Sequence, residues 1–226
     1  MSDMLPRFTL HRRVEHLAVM VLFTILAVTG FPQKFADADW ARWTVDVLGG
    51  VERTRWLHRM SGILFAVFTI VHVTVALVIG LTGRSWSIVP IRKDFTDAVQ
   101  TLRYYLGLAD QPARFDRYDY RQKFEYWGMV LGGGVMTATG FILYLPVLAA
   151  RFLPGELIPA AKVAHSNEGL LAFLVVITWH IYNAHLSPDV FPFDPSIFTG
   201  KISARRLHHE HPLEYERMVG AAEHKP

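Results

Sequence analysis

Eleven histidines and no cysteine set the chemistry open to this chain of 226 residues. Without thiols there are no disulfides, zinc thiolate sites, covalent c-type haem, cysteine-held iron–sulfur clusters or cysteine nucleophiles. A metal or cofactor must be held through nitrogen or oxygen. Four histidines stand out by spacing: His58 and His72 are fourteen residues apart, and His165 and His180 fifteen. On an α-helix, fourteen steps return to about −40° and fifteen to about +60°, so each pair lies roughly on one face. Helix rise separates the members of a pair by about 21–22 Å. That is too far for one metal ion. It suits two stacked haems, because a bis-histidine haem takes one imidazole from each of two facing helices. Gly62 and Gly169 each follow a histidine by four residues. Positions i and i+4 share a face, so a haem edge can press on the backbone there. Small-residue helix packing is the other reading of both glycines.

The elements that must position these side chains are membrane helices. Lys, Arg, Asp and Glu are absent from His16–Gln33, Met60–Gly83, Tyr126–Ala150 and Gly169–Pro188. Each window approaches or exceeds the roughly 18–20 residues that cross the hydrocarbon core. Only 19% of the chain is charged and 51% is hydrophobic, against about 25% charge in soluble domains. The expected fold is an all-α membrane protein, a four-transmembrane-helix bundle with spans at about 16–33, 57–82, 124–148 and 163–187. It forms a single domain over 1–226, with 188–226 as a cytoplasmic tail. The first apolar run lacks a small-residue cleavage site and does not read as a signal peptide. A net charge of +3 is too small to argue for nucleic acid.

Sixteen Lys and Arg residues fall in the N-terminal segment, the Arg84–Lys123 region and the tail, against seven in the other connections. The positive-inside rule then puts both termini on the cytoplasmic side of a bacterial inner membrane. His58 and His165 lie near the outer surface, His72 and His180 nearer the inner one. His16 begins span one at the inner depth too, so three histidines compete for two inner axial positions. Phe95–Leu108, within the connection Arg84–Gln122, reads as an interfacial amphipathic helix on the cytoplasmic face, touching lipid. Trp40, Trp43 and Trp56 fit an outer aromatic belt. The run Gly132-Gly133-Gly134 allows close helix packing. His11 and the tail cluster His208, His209 and His211 read as solvated, although the cluster has the chemistry to bind metal. His185, on a different face from His180, is either a proton relay or an interfacial residue.

These residues, taken together, resemble the membrane cytochrome b (gamma) subunits of respiratory formate dehydrogenase and nickel–iron hydrogenase. The likeness lies in Arg13-Val14-Glu15-His16 with Thr29-Gly30, in Leu57-His58, in Tyr118-Asp119-Tyr120-Arg121-Gln122-Lys123, in His165, Gly169 and His180-Ile181-Tyr182, and in Gly200-Lys201-Ile202-Ser203 with His211-Pro212. It covers most of the four spans and part of the tail. The resemblance implies two haems b, the outer on His58 and His165 and the inner on His16 and His180. It also implies a quinone site (menaquinone or ubiquinone) beside the inner haem, with Asp119 and Gln122 at the matching positions.

Three departures stand against that pattern. Span four has one residue more between its histidines. His72 is an additional histidine and an alternative inner ligand. Asn183-Ala184-His185-Leu186-Ser187-Pro188-Asp189 and Phe191-Pro192-Phe193-Asp194 replace a plainer linker, which suggests a branch with its own partner. The expected function is a quinone-linked electron-transfer subunit with no catalytic constellation of its own. Its partner is a periplasmic iron–sulfur or multihaem cytochrome c subunit. Asp119 and His185 are candidate proton carriers, Gln122 and Tyr182 candidate hydrogen-bonding groups. The rival functions are a proton or metal transporter and a haem-free membrane anchor. A transporter would favour carboxylates inside the spans, and the spans are expected to have none.

Overall fold

A computed structural model describes residues 4–82, 87–188 and 190–223; Arg84 and Asp189 lie outside the described residues. A short strand β1 (Met4–Pro6) leads into α1 (Leu10–Lys34), α2 (Asp39–Val47) and α3 (Val51–Leu81). Next come α4 (Arg92–Tyr105), α5 (Tyr120–Tyr144), α6 (Pro146–Ala149) and α7 (Leu157–Val175). The last of these continues helically to Leu186, so four helices of 25, 31, 25 and 30 residues are long and apolar enough to cross a membrane. The protein is thus an all-α membrane bundle, as its charge-free windows predict.

The helices outrun those windows. Glu15, Glu125 and Glu168 lie within α1, α5 and α7, so the spanning helices do contain carboxylates. The reason is physical: charge-free windows mark what hydrocarbon tolerates, whereas helical hydrogen bonding runs on through the first charged residue. Helix α5 stops at Tyr144 because Pro146 opens α6. The preceding Leu145, at φ −122° and ψ 56°, has left the helical region, as residues before proline do.

Two compact units divide the chain. One consists of Val14–Val78 and Met129–Asp194 and holds all the span histidines. Its helices meet through aromatic and glycine contacts. Phe31 meets Phe173 edge-on at 4.8 Å. A side chain at Gly133 would sit 3.4 Å from Phe65, and one at Gly132 only 2.6 Å from Glu168. The glycine run therefore does bring helices together. Large apolar side chains such as Leu64, Val67, Val71, Leu171 and Leu174 stay exposed, the surface a bilayer requires.

The other unit consists of Met1–Arg13, Ile79–Gly128 and Pro195–Pro226. Here β1 pairs antiparallel with β2 (Lys201–Ser203), Leu5 opposite Ile202. Helices α8 (Ser196–Thr199), α9 (Ala204–Glu210) and α10 (Pro212–Glu223) surround the strand pair in sequence. Gly200 takes φ +79°, and a side chain there would strike the Phe8 carbonyl at 2.7 Å. Its own carbonyl receives the Arg7 and Phe8 N–H groups. That close approach explains why the tail motif begins with glycine. Ser203 caps α9 by accepting the Arg206 N–H.

A buried polar cluster closes this unit. Arg7 and Glu214 form an ion pair, and both residues are buried. Arg117 also donates to Glu214, at 2.6 Å, and to the Arg7 carbonyl, at 2.7 Å. His211 is 2% exposed, so the expectation that it is solvated fails. Its Nδ1 donates to the Asp116 carbonyl (2.6 Å) and its Nε2 accepts from Arg7 (3.0 Å). Burial, then the Arg7 charge, pushes its pKa down to about 4. Proline at position 212 starts the next helix, where a missing N–H costs nothing.

Helix α4 packs one face inward. Lys123 makes a two-oxygen ion pair with Asp94 at 2.8 Å, and the Trp127 indole donates to the Ile88 carbonyl at 3.1 Å. The opposite face leaves Phe95, Val99, Leu102 and Leu106 exposed, at the 3- and 4-residue steps of one helical stripe.

Candidate functional site

The span histidines come together in two pairs. His58 of α3 faces His165 of α7 with ring centres 6.2 Å apart. His16 of α1 faces His180, in the continuation of α7, with ring centres 6.1 Å apart. Thr29, which touches His58, is thirteen residues along α1 from His16, so the two pairs are separated by about 20 Å of helix rise.

The first pair is built symmetrically. The Thr29 hydroxyl donates to the Ile25 carbonyl at 2.6 Å, and its oxygen lies 2.9 Å from His58 Nδ1. The Thr139 hydroxyl donates to the Val135 carbonyl at 2.6 Å, and its oxygen lies 3.0 Å from His165 Nδ1. A hydroxyl has one proton. With that proton given to a carbonyl, each threonine can only accept from Nδ1–H. Both imidazoles are thereby fixed in the tautomer whose Nε2 lone pair is free for a metal.

Glycine makes room for both rings. A side chain at Gly30 would come 3.0 Å from the His58 ring, and one at Gly140 would come 3.3 Å from the His165 ring. Gly62 and Gly169, read from the sequence as places for a haem edge, face Leu26 and Met136. The rings of His58 and His165 lean across to neighbouring helices, so their own clearance comes from Gly30 and Gly140. The Thr-Gly dipeptides within spans one and three are the signal in the sequence for that second role.

The second pair sits in a different local structure. From Val176 to His180 and from Tyr182 to Leu186 the helix widens to i→i+5 hydrogen bonds, including Ser187 N–H to the Tyr182 carbonyl at 2.8 Å. Such π-helical turns absorb an extra residue and cluster at functional sites. The fifteen-residue step from His165 to His180 runs into the first of these turns. Fifteen residues with one taken up in the bulge give the angular offset of about fourteen, near −40°. His72 points its Nδ1 to Glu15 at 3.2 Å.

The residues expected around a quinone lie in both units. In the unit that contains Ile79–Gly128, Asp119 and Gln122 grip each other. The Asp119 carboxylate accepts the Gln122 N–H (2.8 Å), and the Gln122 side-chain oxygen accepts the Asp119 N–H (3.3 Å). This is a capping box at the start of α5. Arg121 also pairs with Asp119 at 2.7 Å. In the unit that holds the span histidines, Tyr182 is exposed. His185 stacks on Phe193 at 4.6 Å and 8°, and its Nδ1 accepts the Asp194 N–H at 3.3 Å. Its proton therefore resides on Nε2.

The residues present fit haem b. An iron between two nitrogens, each at a metal–imidazole distance of about 2.0–2.1 Å, sets ring centres about 6 Å apart. Both pairs meet that spacing, and in the first the free nitrogens are already of the right tautomer.

Comparison with known proteins gives the family. The sequence pattern of the prokaryotic cytochrome b561 family matches residues 7–190. The nitrate-inducible formate dehydrogenase cytochrome b556 (Fdn) subunit of Escherichia coli K12 is 25% identical over 220 residues, spanning 97% of this chain and 94% of that protein. The same figures hold for the Fdn subunit of Shigella flexneri. The formate dehydrogenase cytochrome b556 (Fdo) subunit of E. coli K12 is 26% identical over 184 residues, 80% of this chain and 79% of its own. The chain belongs to the prokaryotic cytochrome b561 family. It is a multi-pass membrane cytochrome b, and haem b is its cofactor.

Proposed function

We propose that this cytochrome b holds two haems, one on His58 and His165 and one on His16 and His180, and passes electrons between a redox partner and quinone. The observation behind this reading is the equal spacing of the two pairs, 6.2 and 6.1 Å between ring centres. Bound there, haem would supply one-electron transfer. Thr29 and Thr139 hold the tautomer and orientation of their histidines. His72 is turned to Glu15 and does not ligate.

The positive-inside count supports both termini in the cytoplasm and the His58/His165 pair on the outer side. A periplasmic iron–sulfur or multihaem cytochrome c subunit exchanges electrons there. The names of the relatives favour another subunit of a formate dehydrogenase type of complex. Quinone binds on the cytoplasmic side, near His16 and His180. Its reduction takes two electrons and two protons. The Nε2–H of His185 and the Tyr182 hydroxyl donate hydrogen bonds to it, and the two protons are drawn from the cytoplasmic side. The exposed apolar stripe of α4 lies on the lipid surface.

A pyridine haemochrome assay of the purified chain tests this reading. Two haems b per polypeptide, both reducible by a quinol analogue, are expected. No haem, in protein made with ample haem supply, would return the chain to a transporter or anchor.

A further inference from the structure

Lys34 ends α1, and its ammonium reaches across to α7. It donates to Asn167 Oδ1 at 2.8 Å and to Ser166 Oγ at 3.2 Å, the two residues that follow His165. The Phe35 ring centre is 5.8 Å away. All these partners are neutral. Among the described residues no carboxylate pairs with Lys34. Glu168, the next residue of α7, lies against Gly132. Arg59, the cation that follows His58, lies over the Tyr144 ring at 5.4 Å. A half-buried ammonium beside apolar helix ends is stabilised strongly by a nearby anion. Haem b brings two such anions, its propionates.

We propose that Lys34 is the ion-pair partner of a propionate of the haem held by His58 and His165, steered into place by Ser166 and Asn167. This assignment rests on the reading that haem lies between those two histidines. An ammonium–carboxylate hydrogen bond is of the strong, charge-assisted kind. Ferric haem carries one more positive charge than ferrous haem. A cation fixed at the propionate therefore disfavours the ferric state and raises the potential of this haem, and only this one.

Spectroelectrochemical titration of the haem-loaded protein tests the proposal. In Lys34→Gln the oxidised-to-reduced ratio of this haem, at fixed potential, rises about tenfold, equivalent to about 59 mV for a one-electron couple. The other haem does not move, and Lys34→Arg stays within about twofold of the parent, since it keeps the charge. Loss of this haem from Lys34→Gln but not from Lys34→Arg would also support the ion pair. Haem dimethyl ester, which has no propionate charge to pair, is retained equally well by parent and Lys34→Gln, whereas haem itself is retained better by the parent. An unshifted Lys34→Gln titration, equal shifts in both haems, or a retention difference that persists with the ester would overturn the assignment. Unchanged haem content in His58→Ala would instead overturn the underlying reading, and the proposal with it.

Discussion

The His58/His165 and His16/His180 pairs reach almost the same ring separation, 6.2 and 6.1 Å, on different scaffolds. The first stands on regular α-helix. Each imidazole there has a threonine on Nδ1 and a glycine under the ring. The second depends on a π-helical stretch to bring His180 to His16, and a third histidine stands nearby on Glu15. The difference teaches that ring spacing is what the fold preserves. One pair is fixed by hydrogen bonds from neighbouring helices, the other by an adjustment of helix register.

The largest test of that contrast is loss of a whole haem. His16→Ala should leave one haem per chain, whereas His72→Ala should leave two, read by pyridine haemochrome. Equal losses would break the pairing and make His72 a ligand.

Removing one residue from Val176–His180 should come next. The π-helical turn then reverts to α-helix, His180 keeps its face, and both haems stay. The same deletion between His165 and Val175 also shortens the spacing to fourteen, but leaves the π-helical turn in place. His180 should then swing by about 100° and lose the second haem alone. If both deletions behave alike, the π-helical turn is not what sets the register.

Thr29→Val and Thr139→Val should act only at the first pair. Loss of an outer-shell partner of a metal-bound histidine typically costs 10–100-fold in affinity. Competition with apomyoglobin would measure that weakening for one haem while the other stays put.

The smallest effect concerns a histidine that is no ligand. Both ring nitrogens of His211 are taken, by Asp116 and Arg7, so burial alone does not make a haem site. Its pKa lies near 4 in the folded chain, against about 6.5 when unfolded. Above pH 6.5 it is neutral in both states and changes nothing. As pH falls from 6.5 toward 4, the unfolded chain takes up a proton that the folded site refuses. Stability should therefore drop, by about 3 kcal/mol at full effect. His211→Gln should flatten the pH dependence of thermal unfolding in that interval without changing haem content.

Much of this architecture is legible in the chain. Charge-free windows mark the four spans, because hydrocarbon excludes ions. The spacing of His165 with His180 points to two levels on one helix, because helical periodicity is regular; that of His58 with His72 misleads, since His16 faces His180 and His72 turns to Glu15. The partners of the histidines are less legible. Thr29, Gly30, Thr139 and Gly140 act across helices, and no local period connects them to His58 or His165. The π-helical turn at Val176–His180 hides in the count itself, where it appears only as one residue too many. Folding of His211 into a buried cluster depends on Arg7 and Asp116, far away in sequence.

The central claim is that His58 and His165 hold one and the same haem. Haem content and redox titration of His58→Ala and of His165→Ala, each purified separately, test it most directly. The account predicts one remaining haem in each variant, with the same midpoint potential in both. Two variants that keep haems of different potential, or that both keep two haems, would contradict it.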